Sequence, residues 1–174
     1  MAFSLYLHIP YCQAKCPYCD FNSHAASAWP EEEYTRALIV EMKRRVEEDP
    51  FRGESITTIF FGGGTPSLFR PGSIGEILDT AERTFGIERD AEITLEANPG
   101  TVDIEKLRGF RAAGVNRISF GAQSFNDATL KFLGRIHDAA QTREAAKMAH
   151  RAGFERLNLD LIFAVPGQKR ADVM

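Results

Sequence analysis

Leu5-Tyr6-Leu7-His8-Ile9-Pro10-Tyr11-Cys12-Gln13-Ala14-Lys15-Cys16-Pro17-Tyr18-Cys19 sets a short strand-like run directly against three cysteines. Leu5, Leu7 and Ile9 alternate with Tyr6 and His8, the period of a half-buried strand. Pro10 ends the run, and Cys12, Cys16 and Cys19 follow with the spacing C-x-x-x-C-x-x-C. The chain has 3 cysteines in all. A disulfide would strand one of them. Three thiolates can fill three corners of a four-iron, four-sulfur cluster and leave one iron open to a small molecule. Zinc with His8 or His24 as fourth ligand, or inert buried thiols, stay open on spacing alone.

Further along, strand-like runs alternate with amphipathic helical runs. The strand runs are Leu5–Ile9, Ile56–Phe61, Ala91–Ala97, Arg117–Gly121 and Arg156–Val165. The first helix opens at Pro30 with Glu31, Glu32 and Glu33, carries a stripe of Tyr34, Leu38, Met42 and Val46, and closes on Lys43, Arg44 and Arg45. Acidic start and basic end suit the helix dipole. The second spans about 71–85, with Ile74, Ile77, Leu78 and Ala81 inward and Gly86 as cap. The third spans about 103–113, ending at Gly114; two more cover about 127–133 and 138–152, the last ending at Gly153. About five βα units predict an α/β fold, a partial parallel barrel with right-handed crossovers.

The strands add a second signal. Buried parallel strands usually read as unbroken apolar runs. Here Thr94 and Glu96 alternate with Ile93 and Leu95; Arg117, Ser119 and Gly121 with Ile118 and Phe120; Asn158 and Asp160 with Leu157, Leu159 and Leu161. The apolar face packs on helices, so the polar one lines a cavity inside the barrel. A single solvent-exposed face is the competing reading. Ligand sites of βα barrels lie at the C-terminal ends of the strands, where the remaining motifs fall. Gly62-Gly63-Gly64-Thr65-Pro66 follows the second strand and exposes backbone groups to a close ligand, or makes a tight turn. Glu96-Ala97-Asn98-Pro99-Gly100 follows the third and offers a carboxylate for an ammonium or hydroxyls. Gln123 closes the fourth, and Arg135 beyond it suits a ligand carboxylate or a surface ion pair. Asp160 lies on the polar face of the fifth, and Tyr18 is placed to shield a cluster or simply to pack the loop. His137 and His150 read as surface residues.

A net charge of −3 and a pI near 5.8 point away from a nucleic-acid partner. No apolar run approaches the roughly 20 residues of a transmembrane segment. The start, Met1-Ala2-Phe3, has no basic region of a signal peptide. With reduced cysteines this predicts a cytoplasmic protein. The polar stretch Lys169–Met174 after Pro166-Gly167 reads as a truncated chain, and five units would leave an open sheet edge prone to association.

Taken together, His8-Ile9-Pro10-Tyr11-Cys12, Cys16-Pro17-Tyr18-Cys19-Asp20-Phe21-Asn22-Ser23-His24, Glu96–Gly100, Ser119-Phe120-Gly121-Ala122-Gln123-Ser124-Phe125, Leu133-Gly134-Arg135 and Asn158-Leu159-Asp160-Leu161-Ile162 resemble the radical S-adenosylmethionine superfamily. Within it they resemble the branch of oxygen-independent coproporphyrinogen III oxidases and haem chaperones. The resemblance implies a [4Fe-4S] cluster on Cys12, Cys16 and Cys19, whose open iron takes S-adenosylmethionine. It implies further contacts from Tyr6, Tyr18, Gly63, Gly64, Thr65, Glu96, Gln123, Arg135 and Asp160. Family chemistry is reductive cleavage of the sulfonium to methionine and a 5′-deoxyadenosyl radical. In the oxidases a further cysteine stands two residues past the third ligand; here that residue is Phe21. The cluster loop instead resembles the haem chaperones of the HemW type. Residues 1–174 are then an incomplete radical SAM core lacking a C-terminal domain, with haem or a porphyrinogen as ligand and haem-acceptor proteins as partners. One departure stands out: Ala164 occupies a position where the family usually has glycine before an apolar residue and Pro-Gly. A methyl near the ligand cavity, or a backbone angle only glycine takes easily, is the concern there.

Overall fold

The computed structural model describes residues 2–48 and 51–170. Five parallel strands form one sheet in the order β1 (Phe3–Ile9), β4 (Ile56–Gly63), β5 (Ile87–Ala97), β6 (Arg117–Gln123) and β7 (Arg156–Leu161). Each strand joins the next through helix: α1 (Glu31–Arg45), α2 (Pro71–Phe85), α3 (Ile104–Ala112), then α4 (Asp127–Phe132) and α5 (Ala139–Arg151). The consecutive order is that of a barrel wall. The helix that would complete the fifth unit is not among the described residues, and the expectation about the last residues of the chain falls largely outside them.

Local signals set the helix ends. Glu31–Glu33 and Lys43–Arg45 sit at the favourable ends of α1. Asp138 accepts from Gln141 N at 2.7 Å while Gln141 Oε1 accepts from Asp138 N at 2.9 Å, a capping box on α5. Gly86, Gly114 and Gly153, each with positive φ, turn the chain out of α2, α3 and α5. The core lies between the helices and the apolar sheet face, with Phe61, Phe69, Phe110, Phe120 and Phe154 fully buried.

Several details differ from the sequence reading, among them a third strand that begins at Ile87, four residues before Ala91. The fourth strand runs on to Gln123, whose φ is +64°, across a register shift between Phe120 and Gln123. The fifth ends at Leu161, because the chain turns at Ala164 (φ +62°). A short parallel pair, β2 (Tyr11–Cys12) with β3 (His24–Ala25), had no sequence signal. His137, expected on the surface, is buried. Its Nδ1 lies 3.1 Å from Asn98 Oδ1 and its Nε2 3.2 Å from Ala122 O, so both ring nitrogens have polar neighbours inside. Burial lowers its pKa. His150 is exposed as expected.

Candidate metal centre and ligand cavity

The chain leaves β1 at Ile9 and is held from below before the first cysteine. Gly64 N donates to Ile9 O and Thr65 N to Tyr11 O, both at 2.8 Å. A Cβ on Gly64 would stand 2.7 Å from Tyr11 O and 2.8 Å from Pro10 C, so only glycine allows this approach. His24 N donates to Pro10 O and Ala26 N to Cys12 O, which closes residues 13–23 into a loop with β2 and β3 at its neck. Pro17 of that loop rests on Gly134, where a Cβ would come within 2.7 Å of Pro17 Cδ.

One cavity at the C-terminal ends of the strands takes in all three cysteines, Tyr18, Gly63, Gly64, Thr65, Glu96, Gln123, Arg135 and Asp160. Eleven of the twelve residues singled out from the sequence therefore meet there. Tyr6 does not line it. Tyr6 stands beside it, 55% exposed, with its hydroxyl 2.9 Å from His8 Nδ1. Ser119 lines it as its strand's polar face predicted, whereas sequence reading did not single out Lys15, Phe21 or Asn98 as lining residues, and Lys15 had no signal.

The thiols are free and half-buried. Thr65 Oγ1 donates to Cys12 Sγ at 3.5 Å, and Arg135 Nη1 to Cys16 Sγ at 3.4 Å. Arg135 also donates to Tyr18 Oη at 3.3 Å and Gly121 O at 2.9 Å, which ties the cysteine loop to β6. Its Nε is buried with no partner. Burial pushes the Tyr18 phenol up to about 12, against the pull of Arg135. Glu96 accepts from Gly63 N at 3.2 Å. Burial first, and then the neighbouring Asp160 carboxylate, raise its pKa, while Gly63 N and His8 lower it. Asp160 accepts from Ser119 Oγ at 3.1 Å and Asn158 Nδ2 at 2.7 Å. The cavity thus brings three thiols and two carboxylates together.

A family model of the Radical SAM superfamily matches residues 6–174. The chain belongs to the radical SAM superfamily. It is 47% identical over 168 residues to a protein of Haemophilus influenzae named Heme chaperone HemW, covering 95% of this chain and 44% of that one. To the Escherichia coli protein of the same name it is 44% identical over 172 residues, covering 98% and 45%. Its fold superimposes on the E. coli coproporphyrinogen III oxidase HemN, a radical SAM enzyme, with a TM-score of 0.88 at 30% identity over 99% of this chain and 39% of that one. The chain spans less than half the length of these relatives.

Radical SAM membership implies a [4Fe-4S] cluster and S-adenosylmethionine, and the residues present fit both. Among the described residues no three His, Cys, Asp or Glu side chains converge on one point as ligands of a single ion. A cluster has each thiolate on a different iron, so it needs no such convergence. His8 is committed to Tyr6 and Asn22, His24 is exposed, and neither lines the cavity, which leaves a three-cysteine, one-histidine zinc site without its fourth ligand. Among the described residues the half-buried Glu96 beside Asp160 is in no Lys or Arg ion pair, and the buried Arg135 Nε has no acceptor. A cationic ligand with ammonium, carboxylate and hydroxyl groups supplies both. Ala164 does not line the cavity, so its methyl is not the obstacle; its left-handed backbone is the real departure. Among the described residues no helix is long and apolar enough to cross a membrane.

Proposed function

We propose that this chain is the cluster- and S-adenosylmethionine-binding core of a haem chaperone, a protein that carries haem to acceptor proteins. Cys12, Cys16 and Cys19 hold the cluster. Gly63, Gly64 and Thr65 present backbone and hydroxyl to the methionine end of S-adenosylmethionine. Glu96 takes the ammonium, Arg135 the carboxylate through its free Nε, and Asp160 and Gln123 the hydroxyl and amide contacts of the nucleoside. Tyr6 and Tyr18 flank the site. When bound, the cluster supplies one electron to the sulfonium. The chain's own contribution is to fix the ligand, keep water out, and hold Glu96 ionised once a cation faces it.

The observation that carries the haem reading is Phe21. It lines the cavity mouth, 66% exposed, at the position where the oxidases carry an extra cysteine. An aromatic there offers a stacking face to a porphyrin and no thiol for chemistry. The similarity to two proteins named haem chaperones supports the same choice. Oxidative decarboxylation of coproporphyrinogen is the second reading, favoured by the fold match to HemN.

The test uses full-length protein reconstituted anaerobically with iron and sulfide. Electron paramagnetic resonance of the reduced protein should give a four-iron signal that changes on adding S-adenosylmethionine, and Cys12→Ala should abolish it. Haem titration should then give a saturable optical shift. No haem binding, with anaerobic conversion of coproporphyrinogen to protoporphyrinogen, would establish the oxidase instead. One tightly bound zinc and no iron would sink both readings.

A further inference from the structure

Three successive carbonyls behind the cysteine loop are taken by basic side chains. Lys15 Nζ donates to Phe21 O and to Ser23 O, each at 3.1 Å. His8 Nε2 lies 2.8 Å from Asn22 O, between them. A carbonyl only accepts, so Nε2 carries the proton and Nδ1 accepts from the Tyr6 hydroxyl. Ser23 N closes a tight turn onto Phe21 O at 2.7 Å. Lys15 lies between the first two cysteines, and its acceptors lie beyond the third. Its ammonium therefore ties the two flanks of the loop together from within. It is the only Lys or Arg from Cys12 to Ala25, and Lys15, Phe21 and Ser23 line the same cavity as the thiols.

A long flexible side chain loses up to about 2 kcal/mol of rotamer freedom when held. Charge-assisted bonds to two carbonyls offset that cost. The position has an electrostatic consequence too. A cluster on three thiolates is anionic and becomes more so on taking an electron, and its potential follows the charges and hydrogen bonds around it.

We propose that Lys15 is a positioning residue of the metal centre, bracing the Phe21–Ser23 segment and adding the positive charge that makes the centre easier to reduce. This rests on the cluster reading above, and the experiment separates the two. Full-length wild-type protein, Lys15→Met, Lys15→Arg and the distant control Lys43→Met are reconstituted anaerobically, and the midpoint potential is followed by electron paramagnetic resonance. Lys15→Met should hold several-fold less reduced centre at a fixed poise, the direction expected when a positive charge beside an anionic centre is lost and solvent screens part of it. Lys15→Arg should restore it, and Lys43→Met should match wild type. Loss of the centre in Lys15→Met with retention in Lys15→Arg at the wild-type potential also bears the proposal out. A wild-type potential in Lys15→Met overturns it, as does a fall that arginine does not restore, or loss of the centre in both variants. If wild type itself assembles no centre, the cluster reading falls and this inference with it.

Discussion

The centre of the sheet and its last strand carry the same alternation and meet different fates. In β5, Ile93 and Leu95 are buried to 8% and 0% exposure, packed under helices on one face. In β7, Leu157, Leu159 and Leu161 keep the same spacing and remain 36%, 36% and 45% exposed. Alternation determines which face of a strand is apolar. Whether that face is covered depends on the neighbouring layer packed against it. The polar faces differ less. Glu96 of β5 and Asp160 of β7 line one cavity, because both lie at the C-terminal ends of parallel strands. Among the described residues the cavity is therefore built on a sheet that is well packed at its centre and partly exposed at its last strand.

The sharpest test of that contrast is a pair of truncations. Phe61→Ala, at a fully buried side chain of β4, should cost about 3–5 kcal/mol in urea unfolding. Leu161→Ala should cost under about 1 kcal/mol, and equal losses would mean that the β7 leucines are covered in solution. Gly64→Ala comes next. Its methyl meets backbone atoms that cannot swing aside, so about 1–3 kcal/mol should be lost, together with iron content after reconstitution. Full iron loading in that variant would show that the β4 loop does not position the cysteines. Ala164→Gly should act in the opposite sense. It relieves a left-handed alanine just beyond the open strand and should raise stability by about 0.5–1 kcal/mol. The smallest expected effect is on pH dependence. Glu96 has a raised pKa in the folded chain, so the native state binds its proton more tightly than the unfolded one. Its contribution to stability is complete below the ordinary glutamate range and declines as pH rises through the higher folded value. Glu96→Gln should flatten that decline in unfolding curves above about pH 4.5, and an unchanged slope would mean that the carboxylate is more hydrated than its burial suggests.

Much of this was legible in the residues. Periodicity located five strands and five helices within a few positions, because each carries an apolar face and the caps are local: Glu31–Glu33, Asp138 with Gln141, and the glycines after α2, α3 and α5. The ligand cavity was legible too, since a polar residue repeated every second position on several strands has to converge when the strands are parallel. What stayed hidden depends on partners far apart in sequence. His137 is inside because Asn98 and the Ala122 carbonyl receive it. Arg135 reaches Cys16 across 119 positions. Lys15 finds Phe21 and Ser23 only once the loop has closed.

By itself the sequence determined the βα order, the three-thiol loop after the first strand, and the polar faces that became the cavity wall. Those come from covalent spacing and from the periods of 2 and 3.6 along a chain. The tertiary structure alone decided that Tyr6 stands beside the cavity and not in its wall, that Ala164 takes a left-handed backbone, and that the β7 leucines stay partly exposed. Each of these turns on which atoms come within a few ångströms across the fold, and contact of that kind has no period in the sequence.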